Sequence, residues 1–287
     1  MEHHARLSTV PGLVGVLALL LPLVPGCSQE ARGADEAGLA GRLTLTGSST
    51  CGPLVSEIAR RFEGLHSGLR IDVQTGGSSR GIADVSTGLA DIGMSSRSLS
   101  PAESPGRVSH VLARDGVCFL VNASNPVTEL SDLELRGIYT GAIESWSEVG
   151  GLDLPITVID RAQGRSELEL VTSYLGIQAA DIRPDLVAGE NQQGIKMVAG
   201  DPSAICYMSV GTSELEAERG TPIRLLPLRG VPASAATVAS GAFPLARPLL
   251  LITTEDPDER IVAFLDFARS KAVWDLVKEY SFVPVVP

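Results

Sequence analysis

Two rhythms alternate along the chain. Leu43-Thr44-Leu45-Thr46 changes polarity at every residue and stops at Gly47, which predicts a strand. Pro53 then opens a stretch in which Leu54, Val55, Ile58, Ala59, Phe62 and Leu65 share one helical face. The exchange repeats. Residues 71–74 predict a second strand, ending at Gly76-Gly77, and 79–87 a helix. Short apolar runs at 90–94 and 117–121 predict strands, the second continuous enough for burial on both faces. Helices are expected over 130–139, 167–175, 259–268 and 272–280, and strands over 156–159, 205–208 and 249–253. Residues 212–247 mix polar and apolar positions with Pro and Gly and give no period. Strands that alternate with helices predict an α/β fold with largely parallel sheets.

The turns after the strands carry the candidate chemistry. Three are crowded with Gly and hydroxyls: Gly47-Ser48-Ser49-Thr50, Gly76-Gly77-Ser78-Ser79-Arg80-Gly81 and Gly93-Met94-Ser95-Ser96-Arg97-Ser98. A fourth, Arg161-Ala162-Gln163-Gly164-Arg165-Ser166, follows the strand at 156–159. Open α/β sheets bind ligands beyond the carboxyl ends of their strands. Glycine lets the backbone approach, helix-start N–H groups favour negative charge, hydroxyls add neutral donors, and Arg offers a planar fork. Any one such turn is equally a Ser-capped helix start. Four at matching positions point to a small oxyanion site. Gly77-Ser78-Ser79-Arg80-Gly81 also fits the G-x-S-x-G nucleophile elbow, so a secreted serine hydrolase using Ser79 is the rival from another class. Its triad needs an acid and then a His, and the sole His after Ser79 is His110, only 31 residues on.

Composition narrows the field. Of 287 residues, 44% are apolar, too many for a mainly disordered chain. The one long apolar run, 10–24, is short and proline-broken for a membrane span. With 23 basic against 34 acidic residues the net charge is −11, which argues against nucleic acid or an anionic membrane surface as partner. A buried anion site answers to its local field instead. Residues 1–26 read as a signal peptide, and Leu23-Val24-Pro25-Gly26-Cys27 resembles a bacterial lipobox, which would make Cys27 the lipidated first mature residue. Residues 27–42 then form the lipidated Cys and a flexible tether. Of the remaining Cys51, Cys118 and Cys206, the last two lie in apolar strand-like runs and either pair or stay as buried thiols. No Cys/His cluster has metal-ligand spacing, and no cofactor is expected.

At these turns the chain resembles the phosphate-binding protein of bacterial phosphate ABC transporters. The matching segments are Gly47 to Leu54, Gly77 to Ile82, Ala90 to Arg97, Ile138-Tyr139-Thr140-Gly141 with Trp146 and Val149-Gly150-Gly151, Asn191 with Gly194-Ile195, Ala204 to Tyr207, Phe243 to Leu249 and Tyr280 to Pro284. The resemblance implies the two-lobed type II periplasmic-binding-protein fold, each lobe a mostly parallel sheet flanked by helices. Lobe I would take 43–117 and 247–287, lobe II 118–246, with crossovers near 117–122 and 249–253. It implies no enzyme activity, but a monomeric extracytoplasmic receptor, lipid-anchored in the cell envelope (periplasm or outer face of the membrane). This receptor captures inorganic phosphate by lobe closure and passes it to a membrane permease. The same fold binding another oxyanion, or serving as a sensory receptor, is the near alternative.

By the same resemblance Ser49, Thr50, Ser78 and Arg161 match phosphate contacts, and Ser79, Ser96, Arg165, Ser166 and Glu167 complete the expected ligand set. Two positions depart from the family. Ser96 stands where its best-known members carry an Asp that accepts the ligand's proton, and Arg165-Ser166-Glu167 replaces a usual Ser-Gly-Thr. Arg165 would add a second cation. Glu167 would repel a dianion, or accept the proton of HPO4²⁻ and so tell phosphate from sulfate, or simply pair with Arg165 in a helix's first turn.

Overall fold

The computed structural model describes residues 39–285, so the signal peptide, Cys27 and nearly all of the tether lie outside the described residues. Ten strands and nine α-helices alternate within them. The first half runs β1 (Ala40–Gly47), α1 (Cys51–Leu65), β2 (Gly68–Thr75), α2 (Ser78–Ser86), β3 (Ile92–Ser95), β4 (Arg107–Asn122), α3 (Asp132–Thr140), β5 (Thr157–Arg161) and α4 (Ser166–Leu175). The second half runs β6 (Leu186–Ala188), α5 (Asn191–Gly200), β7 (Ala204–Ser209), α6 (Val210–Glu218), β8 (Ile223–Leu225), α7 (Ala235–Ala239), β9 (Ala246–Thr254), α8 (Glu259–Ala268), α9 (Trp274–Glu279) and β10 (Val283–Pro284).

One path of paired strands, β2-β1-β3-β9-β4-β7-β5-β6, threads the molecule, with β8 and β10 also on β4. Its two ends are parallel, β2-β1-β3 on one side and β7-β5-β6 on the other. Its middle is antiparallel, because β9 and β4 run against their neighbours and against each other. Two separate buried clusters follow from this. One gathers Leu43, Leu45, Ile58, Phe62, Ile92, Leu251 and Phe264 around the first parallel group. The other gathers Phe119, Tyr139, Trp146, Val171, Ile205 and Tyr207 around the second. Tyr139 and Trp146 are thus core residues, the Trp146 indole N–H donating to Ser203 O at 2.8 Å.

Several elements differ from the sequence expectation. The strand expected at 117–121 is the second half of β4, whose first half pairs with β9 from Arg107↔Thr254 to Gly116↔Ala246. Residues 212–247 hold the end of α6, β8 and α7. The final helix splits into a 3-10 turn at Lys271–Val273 and α9. Cys118 lies opposite Met208 and Cys206 opposite Leu120, so the two thiols stand on different rungs and remain free, as does Cys51. Burial pushes the Cys51 and Cys206 thiols up to about 12.

Candidate ligand-binding site

The four predicted turns meet at one place, held there by close backbone approach. Gly47 has φ +134°, and a Cβ on it would lie 2.1 Å from Met94 O on β3. Gly77 has φ +101°, and its Cβ would lie 2.6 Å from Gly164 O. Only glycine accepts both the dihedral and the contact. The second contact brings the turn before α2 against the turn before α4, and Ser79 N donates to Gly164 O at 3.3 Å.

Hydroxyls form the first layer of the site. Ser48 Oγ donates to Ser96 Oγ at 2.9 Å and accepts from Thr50 N at 3.2 Å. Ser96 N donates to Ser78 Oγ at 3.1 Å, and Ser96 Oγ lies 2.6 Å from Ser166 Oγ. Thr50 Oγ1 accepts from Asn191 Nδ2 at 3.0 Å. Ser49 is buried in the same turn, but among the described residues its hydroxyl makes no hydrogen bond into this network.

Two guanidinium groups form the second layer. Arg161, at the end of β5, is 1% exposed; its Nη2 donates to Asn191 Oδ1 at 3.2 Å and its Nη1 to Ala188 O at 3.3 Å. Its Nε is buried without a hydrogen-bond partner among the described residues. Arg247, at the start of β9, is 3% exposed and donates from Nε and Nη2 to Asp115 Oδ2 at 3.1 and 2.9 Å. Its Nη1 donates to Ser166 Oγ at 3.0 Å, and its Nη2 to Thr50 Oγ1 at 3.2 Å and Glu167 Oε1 at 2.9 Å. Buried charge on this scale is tolerated only when paired and hydrogen-bonded.

Glu167 completes the cluster. Its Oε1 also accepts from Thr50 Oγ1 at 3.0 Å, and its Oε2 lies 3.7 Å from Arg161 Nη2. Burial works against its charge, but Arg247 and Arg161, with its own backbone N–H, bring the carboxyl down to about 2. Arg165 is not its partner. Arg165 pairs with Glu190 at 3.0 Å. The second buried cation is Arg247 instead.

Ser79 lies at the rim rather than in the cluster. It accepts from Arg97 Nη2 at 3.2 Å and donates to Glu169 Oε1 at 3.4 Å, while Arg97 also pairs with Glu103 at 2.8 Å and with Glu169 at 2.7 Å. His110 bonds Thr253 Oγ1 through Nε2 at 3.1 Å, so Ser79 and His110 form no nucleophile–base pair. Arg80 pairs with Asp84 on the surface. The sequence reading missed Arg247, Asp115 and the part played by Asn191. For Arg247 the signal was a lone charge in the otherwise uncharged strand β9, whereas Asp115 sits beside Arg114 in β4 and Asn191 opens a polar run, so neither stood out.

Comparison with known proteins identifies the family. Residues 32–272 fit the sequence profile of the PBP superfamily domain. The phosphate-binding protein PstS of Bacillus subtilis is 29% identical over 262 residues, covering 90% of this chain and 85% of that protein. A substrate-binding protein of Clostridium perfringens, assigned to a phosphate ABC transporter and solved with bound phosphate, is 27% identical with a TM-score of 0.79, over 86% of this chain and 100% of that one. An ABC-type phosphate transport receptor of Vibrio cholerae is 28% identical with a TM-score of 0.71, over 85% of this chain and 100% of that one. With two parallel strand groups joined by antiparallel β4 and β9, the chain belongs to the PBP superfamily and has the type II periplasmic-binding-protein fold.

Proposed function

We propose that this protein is an extracytoplasmic receptor that captures inorganic phosphate and hands it to the permease of an ABC transporter. The observation that carries the reading is the convergence of buried Arg161 and Arg247 with the hydroxyls of Thr50, Ser78, Ser96 and Ser166 from separate turns. Directed N–H and O–H donors replace the water shell of a tetrahedral oxyanion, and charge-assisted donors offset its desolvation. Similarity to phosphate-binding proteins across most of the chain supports the same ligand. Nothing in the cluster is arranged for bond chemistry; its product is an occupied receptor.

The two separate apolar cores support capture between two lobes. Residues 43–117 with 247–287 form lobe I, 118–246 form lobe II, and β4 and β9 are the crossovers on which they close. Thr50, Ser78 and Ser96 belong to the first and Arg161 and Ser166 to the second, so closure makes donors from both converge. Cys27 carries the lipid that holds the monomeric receptor at the membrane.

Calorimetry on ligand-free protein, prepared by unfolding, dialysis and refolding, tests the reading. Phosphate gives saturable heat and raises the melting temperature, and acetate at the same concentration does neither. A folded chain that shows neither response to phosphate overturns it.

A further inference from the structure

The carboxylate of Glu167 already has the surroundings that an oxyanion ligand would be given. It receives a guanidinium N–H from Arg247 at 2.9 Å and a hydroxyl from Thr50 at 3.0 Å, with the Arg161 guanidinium 3.7 Å away. It sits in the first turn of α4, where the unpaired N–H groups of a helix start favour negative charge, and the residue is 2% exposed. Asp115 differs, being committed to the scaffold: it accepts from Gly211 N at 3.0 Å as well as from Arg247. The charge balance shows the consequence. Arg161 and Arg247 face Asp115 and Glu167, so the cluster is neutral as it stands and carries one positive charge without Glu167. The fit of the carboxylate is also incomplete. It has two oxygens where a tetrahedral oxyanion has four, the contact to Arg161 is too long for a hydrogen bond, and Arg161 Nε has no partner among the described residues.

We propose that Glu167 is a tethered anion: its carboxylate holds the oxyanion position of the site, and an external oxyanion binds by displacing it, so that this residue sets the affinity of the receptor. A competitor attached to the chain acts at a fixed, high local concentration and weakens every anionic ligand alike. The idea rests on the phosphate reading of the pocket but makes a separate demand. If Glu167 instead accepted the proton of bound phosphate, its neutral isostere would lose phosphate while sparing sulfate, which has no proton to give.

The test is calorimetric titration of wild type, Glu167→Ala and Glu167→Gln with phosphate and with sulfate, each chain freed of ligand beforehand. Glu167→Ala is expected to bind phosphate at least tenfold tighter than wild type and to gain affinity for sulfate as well. Glu167→Gln shifts in the same direction and serves if the Ala variant does not fold. Without anion both variants melt below wild type, and saturating phosphate raises their melting temperature by more than it raises that of wild type. Tighter variants beside a wild type that binds weakly support both the inference and the phosphate reading. Tighter variants beside a wild type that does not bind support the tethered anion and overturn phosphate capture by the native chain. Variants no tighter than a wild type that binds phosphate overturn the tethered anion and leave the phosphate reading standing. Folded proteins that all ignore phosphate overturn both.

Discussion

Arg247 on β9 donates to Glu167 on α4 across 2.9 Å, although 80 residues separate them in the chain. The same guanidinium reaches Asp115, Ser166 and Thr50, so one side chain ties β4, α4 and the turn before α1. Burial disfavours its charge, and Glu167 and Asp115 more than restore it, holding it above the ordinary arginine value. It lies in neither apolar cluster but between residues that do, Leu245 on one side and Leu249 on the other.

Arg247→Ala is therefore expected to lose about 3–5 kcal/mol of stability, the cost of stranding a buried carboxylate. Arg247→Lys recovers only part, since the three donors of an ammonium lack the planar fork that reaches Asp115 twice and Ser166, Thr50 and Glu167 besides. Urea unfolding measures both, and a change within about 0.5 kcal/mol for the Ala variant, the range of an ordinary surface substitution, contradicts the role given to this side chain.

Acid should weaken the fold in a defined way. Arg247 and Arg161 overcome burial to hold Glu167 down to about 2, and the Arg97 hydrogen bond does the same for Glu103. A carboxyl depressed in the folded state stabilises it fully above its ordinary value near 4.5, and that contribution is lost as pH falls toward about 2. Melting temperature should fall across this window, and in Glu167→Gln the fall should be shallower. Parallel acid limbs for the two proteins count against the linkage.

Gly77→Ala places a methyl 2.6 Å from Gly164 O at a dihedral of +101°. A destabilisation of about 1–3 kcal/mol is expected from strain alone. Phosphate affinity should drop with it, because the turns before α2 and α4 must separate. A variant equal to wild type in both measurements shows that the approach is not needed.

Glu169 meets Arg97 at 2.7 Å and Ser79 at 3.4 Å at the rim of the site, and its side chain is half exposed. Such a pair contributes no more than about 1 kcal/mol to stability. It joins α4 to the turn after β3, so in a clamp it acts on release. Glu169→Ala should leave the unfolding midpoint nearly unchanged and speed phosphate dissociation severalfold in stopped-flow displacement. An unchanged rate shows that the Glu169–Arg97 pair plays no part in release.

Cys51, Cys118 and Cys206 are buried thiols, and burial raises all three. The thiolate is the reactive form. In a Cys27→Ser background, iodoacetamide should label none of them in the native protein and all of them in denaturant. Rapid native labelling of any one places it in a more open setting than its burial indicates.

Much of this was legible in the sequence, for local reasons. The apolar face of α1 repeats cleanly from Leu54 to Phe62, and α8 occupies the expected Glu259–Ala268 because Asp258 caps it. The Gly-hydroxyl turns announced where Thr50, Ser78 and Ser96 gather. Where local pattern failed, pairing at a distance had decided. The first half of β4 is half exposed and interleaves Arg107, Ser109, His110 and Arg114 with its apolar residues, yet it is a strand because β9 lies alongside. Helix α5 opens with Asn191-Gln192-Gln193-Gly194, which offers no apolar period. Arg247 meets Asp115 across 132 residues, a relation no window of sequence contains. Arg165 is near Glu167 in sequence, but it pairs with Glu190 instead.

Gly116 of β4 lies directly opposite Ala246 of β9. Everything between them leaves and re-enters through one doorway, with its two ends about 5 Å apart. A gene can therefore exchange that whole stretch with a relative's at a single pair of junctions, without rethreading the rest. Chimaeras made at these two residues should keep the core around Leu43 and Phe264 while importing a foreign complement to Thr50 and Ser96.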